Sequence, residues 1–500
     1  MQRNWRLWFI VCLIIFCRCW SNGEEPPTTQ PDLVLNGVLT HEDHQTYRML
    51  PFTVPEGVYR ITVEFSYTGR EQHTTVDLGL ADPAGFRGWS GGGKHTFTIS
   101  ESDATPSYLA GPIRAGVWKL ILGIPNIRPD VRSEYKARIF FFRSGAAAPE
   151  EQFSKSLRSG PAWYRGDLHM HTAHSDGSCE SQSGKIVPCP VFLTLQAATN
   201  RGLDFIAITD HNTISQYDSM RELAPYFDRL LLLFGREITT FQGHANVYGT
   251  SQFIDFRVGS PEVPEMSTLL QRANKLGAMV SINHPMAPSG EQCLGCGWHP
   301  QPDADLHLVQ AVEAVNSMDS GTRYSGLPFW EAQLNRGYRL TAIAGSDNHR
   351  ATKPLAEQGS IGAPTTVVYA TELSAPAVLE AIRAGHVFID VAGSRDRLLE
   401  LTANADGRTA TMGDVLPLAS GVTANFTVHV ANATGSNLEI IEDGKPLTAF
   451  AATLKTEDTT TTFSVRGDSR PHWIRAGVRS SNGKLLLLGN PIYLNFKKVD

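Results

Sequence analysis

Between Trp163 and Val391 the chain alternates short, continuously apolar runs with helical patterns, and this narrows its possible folds more than any other feature. The runs occupy residues 204–209 (DFIAIT), 230–235 (LLLLFG), 278–283 (AMVSIN), 311–316 (AVEAVN) and 340–345 (LTAIAG). Residues 191–200 and 266–276 carry helix-like spacing between them. Strands apolar on both faces are buried on both, which points to a parallel sheet or barrel covered by helices. Such architectures build their sites at the strand ends. The polar residues collect there. The first strand ends in Asp167-Leu168-His169-Met170-His171, followed by Ser175-Asp176-Gly177. The second ends in Thr209-Asp210-His211. The third ends in Gly235-Arg236-Glu237, with Gly243-His244 after it. Asn283-His284-Pro285 and Ser346-Asp347-Asn348-His349 close the next and the last.

A single histidine at a strand end is usually structural. Two histidines at i and i+2, as His169 and His171, point the same way and can reach one ion. Together the strand ends offer six imidazoles (His169, His171, His211, His244, His284, His349) and three carboxylates (Asp176, Glu237, Asp347). A core cannot bury that many polar groups without strong partners. Imidazole with carboxylate suits zinc, manganese or iron.

The flanks follow another period. Tyr59, Ile61, Val63, Phe65 and Tyr67 alternate with polar residues, as do Trp118, Leu120 and Leu122, so residues 32–145 read as an N-terminal β-sandwich. Phe426, Val428 and Val430 repeat the pattern in a C-terminal β domain, residues 398–500. Residues 24–31 and 146–162 read as linkers, and 163–397 as the ligand-bearing domain. A length of 500 residues suits this three-part division. Residues 1–23 read as a secretory signal: Arg3 and Arg6, then the apolar stretch 7–16, then Ser21-Asn22-Gly23. An uncleaved anchor is the alternative, opposed by Arg18; Cys17 and Cys19 suit a lipoprotein site poorly. A secreted or periplasmic location follows, with no integral span in the mature chain, because no apolar run reaches about 20 residues. A net charge of −6 gives no electrostatic reason to bind nucleic acid. Past the signal, Cys179, Cys189, Cys293 and Cys296 favour disulfides in an exported chain, locally paired as Cys179–Cys189 and Cys293–Cys296. Three connectivities are possible, and a four-thiolate zinc site is the rival reading. Asn425 and Asn432 head glycosylation acceptors that matter only in a eukaryotic secretory route.

The ordered set His-x-His, Ser-Asp-Gly, Thr-Asp-His, Gly-x-Glu with Gly-His, Asn-His-Pro and Ser-Asp-x-His resembles the PHP (polymerase and histidinol phosphatase) superfamily from His169 to His349. The entry Trp163-Tyr164-Arg165-Gly166-Asp167 and the ending Gly489-Asn490-Pro491-Ile492-Tyr493-Leu494 are similar to its CehA/McbA (carbaryl-hydrolase-like) branch. The resemblance implies a multidomain α/β and β chain: a distorted (β/α)7 barrel flanked by two β-sandwich-like domains. It also implies two or three divalent ions. One takes His169, His171, Glu237 and Asp347. Glu237 bridges to a second, held by His244 and His284. Asp176, His211 and His349 take a third; Asp176 stands where other members often have histidine.

Paired ions hold a bridging hydroxide, which gives an expected mechanism of hydrolysis without a covalent intermediate. Water, His211 or His349 protonates the departing group. Asp210 orients a ligand or caps a turn. A phosphomono- or diester is the first substrate expectation, with Arg350 and Arg236 as phosphate contacts or else as surface and structural arginines. A carbamate or aryl ester is the second, with Trp298, Tyr324, Phe329 and Trp330 as possible pocket lining. The rival from another class is a surface-binding module with structural metals, although structural zinc sites are usually closed cages rich in thiolate.

Overall fold

The computed structural model describes residues 30–143, 155–290, 293 and 295–497. The expected signal, and the expected linkers apart from residues 30–31 and 155–162, lie outside the described residues. The chain is mostly β, with several sheets and few helices. No helix among the described residues is long and apolar enough to cross a membrane.

The N-terminal stretch forms two four-stranded antiparallel sheets. One contains β1 (Leu33–Leu39), β3 (Val58–Tyr67), β6 (Thr96–Ser100) and β8 (Ser133–Arg143). The other contains β2 (Thr46–Val54), β4 (Thr75–Asp82), β5 (Gly85–Gly91) and β7 (Gly116–Asn126). The alternation seen in the sequence places Ile61, Val63 and Phe65 in one core with Leu78, Leu80, Trp118, Leu120 and Leu122. Burying each such side chain stabilises the fold by about 1.5–3 kcal/mol.

The next stretch begins with β9 (Arg158–Asp167). A short hairpin follows, β10 (Ser178–Glu180) with β11 (Ile186–Pro188), and then β12 (Phe205–Ile208), β13 (Leu231–Thr240), β14 (Gly243–Tyr248), β15 (Met279–Ile282), β16 (Ala311–Asn316), β17 (Thr341–Gly345), β18 (Thr365–Leu373) and β19 (Val387–Asp390). Between them run α1 (Val191–Arg201), α2 (Gln216–Leu223), α3 (Met266–Lys275), α4 (Leu327–Asn335) and α5 (Ala375–Ala384). Helix α5 shows why the chain breaks where it does. The Ser374 hydroxyl caps Ala377 N–H, and Gly385 leaves the helix at φ +81°, a conformation that suits glycine. The apolar strands are buried on both faces, as read. Phe205 and Ala207 of β12 face one core with Leu231, Leu233, Met279 and Ile343, while Ile206 and Ile208 face another with Leu195 and Ala198 of α1.

The sheet is mixed. Pairing is parallel along β9–β12–β13 and β15–β16–β17, but antiparallel at β13–β14 and β14–β15. The cause is local. The run expected to end at Gly235 continues to Thr240 and reverses at once, with Gly243 at φ +146°. Strand β18 pairs antiparallel with β9 and β19, and the same sheet continues into Leu485–Gly489, His472–Arg479 and Asn437–Glu442. A closed (β/α)7 barrel is not shown. Strand β17 is a sheet edge whose continuation meets that of β9 through a single bridge, with His171 N–H donating to Asn348 O at 2.8 Å. A separate four-stranded sheet near the C-terminus contains Leu398–Ala405, Arg408–Thr411, Thr423–Ala431 and Asp458–Arg466.

Candidate metal centre

Strand ends deliver the donors. His169 and His171 follow β9, His211 follows β12, His284 follows β15, and Asp347 and His349 follow β17; Glu237 lies within β13 and His244 within β14. Asp176 sits on the loop between β9 and β10. All nine side chains named from the sequence converge. Glu237, 1% exposed, is the hub. Its Oε2 lies 3.3 Å from His169 Nε2, 3.6 Å from His171 Nε2 and 2.9 Å from His211 Nδ1. Its Oε1 lies 3.2 Å from His244 Nδ1 and 3.1 Å from His284 Nε2. Asp347 Oδ1 lies 3.3 Å from His169 Nε2 and 3.1 Å from His171 Nε2. At the open side, Asp176 Oδ1 is 3.5 Å from His211 Nε2 and 3.4 Å from His349 Nε2.

Divalent ions fit these residues. Five imidazoles surround one carboxylate, more than its two oxygens can serve well. His169 Nε2, His211 Nδ1, both nitrogens of His244 and His284 Nδ1 are buried without a hydrogen-bond partner. An unsatisfied buried polar group costs about 1–3 kcal/mol, and cations among the rings would satisfy lone pairs and carboxylate charge together. Donor atoms lie within 4.8 Å of one another in four overlapping groups: His169/His171/Asp347, His169/Glu237/His284, His171/Asp176/His211/His349, and His244/His284/Cys296. The family-based ligand sets are thus regrouped: Glu237 falls with His169 and His284, His171 also reaches the outer group, and Cys296 joins His244 and His284.

The electrostatics run the same way. Burial alone would raise the Glu237 carboxyl, but the charge of His169 and the close ring nitrogens of His169, His211 and His244 hold it well below the usual carboxylate range. Burial also opposes the ionised form of Asp347, and His169 and His171 overcome it. Asp347 and His284 have positive φ, +52° and +25°. Left-handed backbone at a non-glycine residue is unfavourable, and it recurs where function fixes a side chain.

Glu313 escapes a sequence reading, although a lone carboxylate in the apolar run 311–316 was the available signal. Buried in β16, its Oε1 accepts from His169 Nδ1 at 3.0 Å, which turns Nε2 toward the cluster. Its Oε2 accepts from His284 N–H at 3.0 Å and from Asn316 Nδ2 at 2.9 Å. Asn283 Nδ2 donates to Glu237 Oε1 at 3.0 Å. Asp167 accepts from His169, Ser346 and Gly362 N–H and so ties the ends of β9 and β17 together. Gly345 packs so close to His169 and Glu313 that a Cβ has no room. Glu313→Gln is expected to lower metal affinity or turnover about 10–100-fold with unchanged circular dichroism. Chelator-competition titration checks this, and unaltered affinity and turnover would contradict it.

Other expected residues take different places. Asp210 accepts from Thr172 N–H, Thr172 Oγ1 and Ser175 Oγ, braces the loop that carries Asp176, and reaches the His171 ring through Ser175, whose Oγ lies 3.5 Å from His171 Nδ1. Arg236 is 1% exposed, and its guanidinium donates to Gln252 O, on the side away from Glu237 that strand alternation dictates. Arg350, beside His349, donates to Glu180 at 2.5 Å. Trp298 packs over Gly243 next to the cluster, whereas Trp330 is fully buried beneath Leu340 and Trp473. Phe329 packs on the same core, and Tyr324 lies at the surface under Arg323. Cys293 and Cys296 stand at disulfide distance, Cα atoms 5.6 Å apart. Cys179 and Cys189 are free and buried, which corrects the expected second disulfide. The hairpin β10–β11 sets Cys179 opposite Val187, and Cys189 lies just beyond it. The four-thiolate zinc reading fails because no donor group among the described residues brings the four cysteines together, and Cys293 and Cys296 stand at disulfide distance.

No family model matches the chain, and no curated protein matches it. Among solved structures, the chain is similar to a two-domain protein of Bacteroides vulgatus ATCC 8482 described as containing a predicted PHP-like metal-dependent phosphoesterase. That likeness has 19% identity and TM-score 0.38, and covers 70% of this chain and 100% of the other. PsfC of Pseudomonas syringae PB-5123 aligns over 41% of this chain and 82% of its own, at 15% identity and TM-score 0.27. A CARDB domain from Pyrococcus furiosus aligns over 20% of this chain and 98% of its own, at 14% identity and TM-score 0.14. Scores this low carry no argument about activity, which rests on the residues themselves.

Proposed function

We propose that this chain is an exported metal-dependent hydrolase of phosphate mono- or diesters, of the PHP type and its CehA/McbA-like branch. The observation that carries the reading is the crowding of five imidazoles around buried Glu237, with Asp347 beside them. In this reading, strands β9 and β12 to β17 are the seven strands of a distorted barrel. The proposal keeps residues 32–145 and 398–500 as flanking β domains. The expected disulfide Cys293–Cys296 suits export.

Bound divalent ions, zinc, manganese or iron, supply a reactive water at neutral pH and neutralise charge developing on the substrate oxygens. The chain's own residues do the rest. Glu237 and Asp347 hold negative charge at the buried floor, and Glu313 fixes the His169 ring. Asp176, His211 and His349 stand at the open mouth, with side chains 57%, 28% and 40% exposed, where a substrate enters. The departing oxygen takes its proton from His211, His349 or water.

One observation favours a carbamate or aryl ester as the second reading. Beside His284 lies an open recess of about 460 Å³ lined by Pro285, Met286, Ala287, Ser289, Gly297, Trp298 and His299, with no carboxylate, lysine or arginine among them. Assay of metal-loaded protein on p-nitrophenyl phosphate, bis-p-nitrophenyl phosphate and 1-naphthyl N-methylcarbamate separates the readings. Turnover of either phosphate ester above that of the carbamate is expected. Carbamate turnover alone overturns the phosphoesterase reading, and turnover of none of the three overturns both.

A further inference from the structure

Cys296 brings a sulfur to a site otherwise built from nitrogen and oxygen. It is 2% exposed, and its Sγ lies within 4.8 Å of a ring nitrogen of both His244 and His284. Those histidines are 6% and 8% exposed, yet neither nitrogen of His244, nor Nδ1 of His284, has a hydrogen-bond partner. Two imidazoles alone leave a four-coordinate ion short of donors, and Cys296 is the further donor grouped with them. As half of a disulfide the sulfur is a poor ligand, because metals bind the thiolate. Its position does not depend on that bond alone. Gly295, at φ +77°, packs against the Thr240 carbonyl and Phe241 so tightly that a Cβ would overlap them, and Gly297 N–H donates to Ser289 Oγ at 2.9 Å. The segment is held on one side of Cys296 to the β13–β14 turn and on the other to the loop after β15.

We propose that Cys293 and Cys296 form a redox-controlled donor pair: reduction releases Cys296 to bind, as thiolate, the ion held by His244 and His284. A dithiol breaks the S–S bond, giving two electrons and two protons and itself becoming a disulfide. Cys293 keeps its proton. Cys296 loses its own to solvent as sulfur meets metal. The gained soft ligand shifts preference from manganese toward zinc or cobalt. The inference rests on the metal-centre reading above.

Cobalt(II) is the probe. The full chain, stripped of metal, is loaded under nitrogen before and after treatment with dithiothreitol and desalting. Thiolate ligation gives a near-ultraviolet charge-transfer band, whereas imidazole and carboxylate give only weaker visible bands. The band is expected in the reduced protein, absent from the oxidised protein, and present without reductant in Cys293→Ser. It should vanish in Cys296→Ser and persist when Cys179 and Cys189 are both changed to Ser. Filled sites with visible bands but no near-ultraviolet band in the reduced protein overturn the proposal alone. So does a band that survives Cys296→Ser. Failure to bind cobalt in either redox state overturns both the proposal and the metal-centre reading beneath it.

Discussion

Glu237→Gln is expected to abolish hydrolysis and to strip the cluster of most of its metal, while the far-ultraviolet circular dichroism stays that of the parent. Both oxygens of Glu237 are committed, Oε1 toward His244 and His284, Oε2 toward His169, His171 and His211. The amide keeps the shape and removes the charge, leaving one neutral acceptor where two anionic oxygens stood. A fall in turnover of at least about 10³-fold, or about 4 kcal/mol of barrier, follows if the shared carboxylate organises the reaction. The thermal midpoint in chelator should fall as well, because the charged carboxylate among the imidazoles contributes stability even without ions. Turnover within tenfold of the parent would contradict the account. Loss of folding together with loss of metal would favour ions that are structural, as in a binding module.

The second large effect is the way metal removal changes the response to pH. An ion present at a thousand times its Kd stabilises the native state by about 4 kcal/mol, so chelation should lower the thermal midpoint by many degrees. In the metal-free protein, burial pushes His211 down, but the neighbouring carboxylates of Asp176 and Glu237 more than reverse this and hold it up at about 10. A histidine raised in the folded state contributes stability that is complete below its unfolded value, near 6.5, and is lost as pH climbs toward 10. Glu237 and Asp347 are depressed, so their contribution is present above the ordinary carboxylate range and is lost only as pH falls through their lowered values. The metal-free midpoint should therefore fall between pH 6.5 and 10. The metal-loaded protein should behave oppositely, since ions compete with protons for the rings and bind better as pH rises. The gap between the two midpoints, measured by differential scanning calorimetry with and without chelator, should widen with pH. Parallel curves, or a chelator without effect, would contradict this.

Much of the site was legible because its residues sit at the ends of strands whose apolar character is local. His169-x-His171 and Ser346-Asp347-Asn348-His349 announce themselves by following runs that have nowhere to go but a buried sheet. The flanking sheets were legible for the same reason: a period of two needs no knowledge of partners. What escaped was set by distant geometry. Glu313 lies mid-strand, and its role comes from His169, more than a hundred residues away. Cys296 reads as a disulfide half until His244 and His284 are placed beside it. The reversal after Thr240 depends on a two-residue connection, 241–242, short enough to be read as a strand end. Cys179 and Cys189 look pairable at ten residues apart, yet the two neighbouring thiols stay free, and spacing is silent on that. Arg236 neighbours Glu237 in sequence and for that very reason faces the opposite side of β13.

Elemental analysis of the purified full chain, prepared without chelator and without a metal-affinity step, tests the central claim most directly. The account predicts two or three zinc, manganese or iron ions per folded chain, with the number falling in Glu237→Gln. A folded protein that carries essentially none, and that takes up none when any of the three is added back, would contradict it.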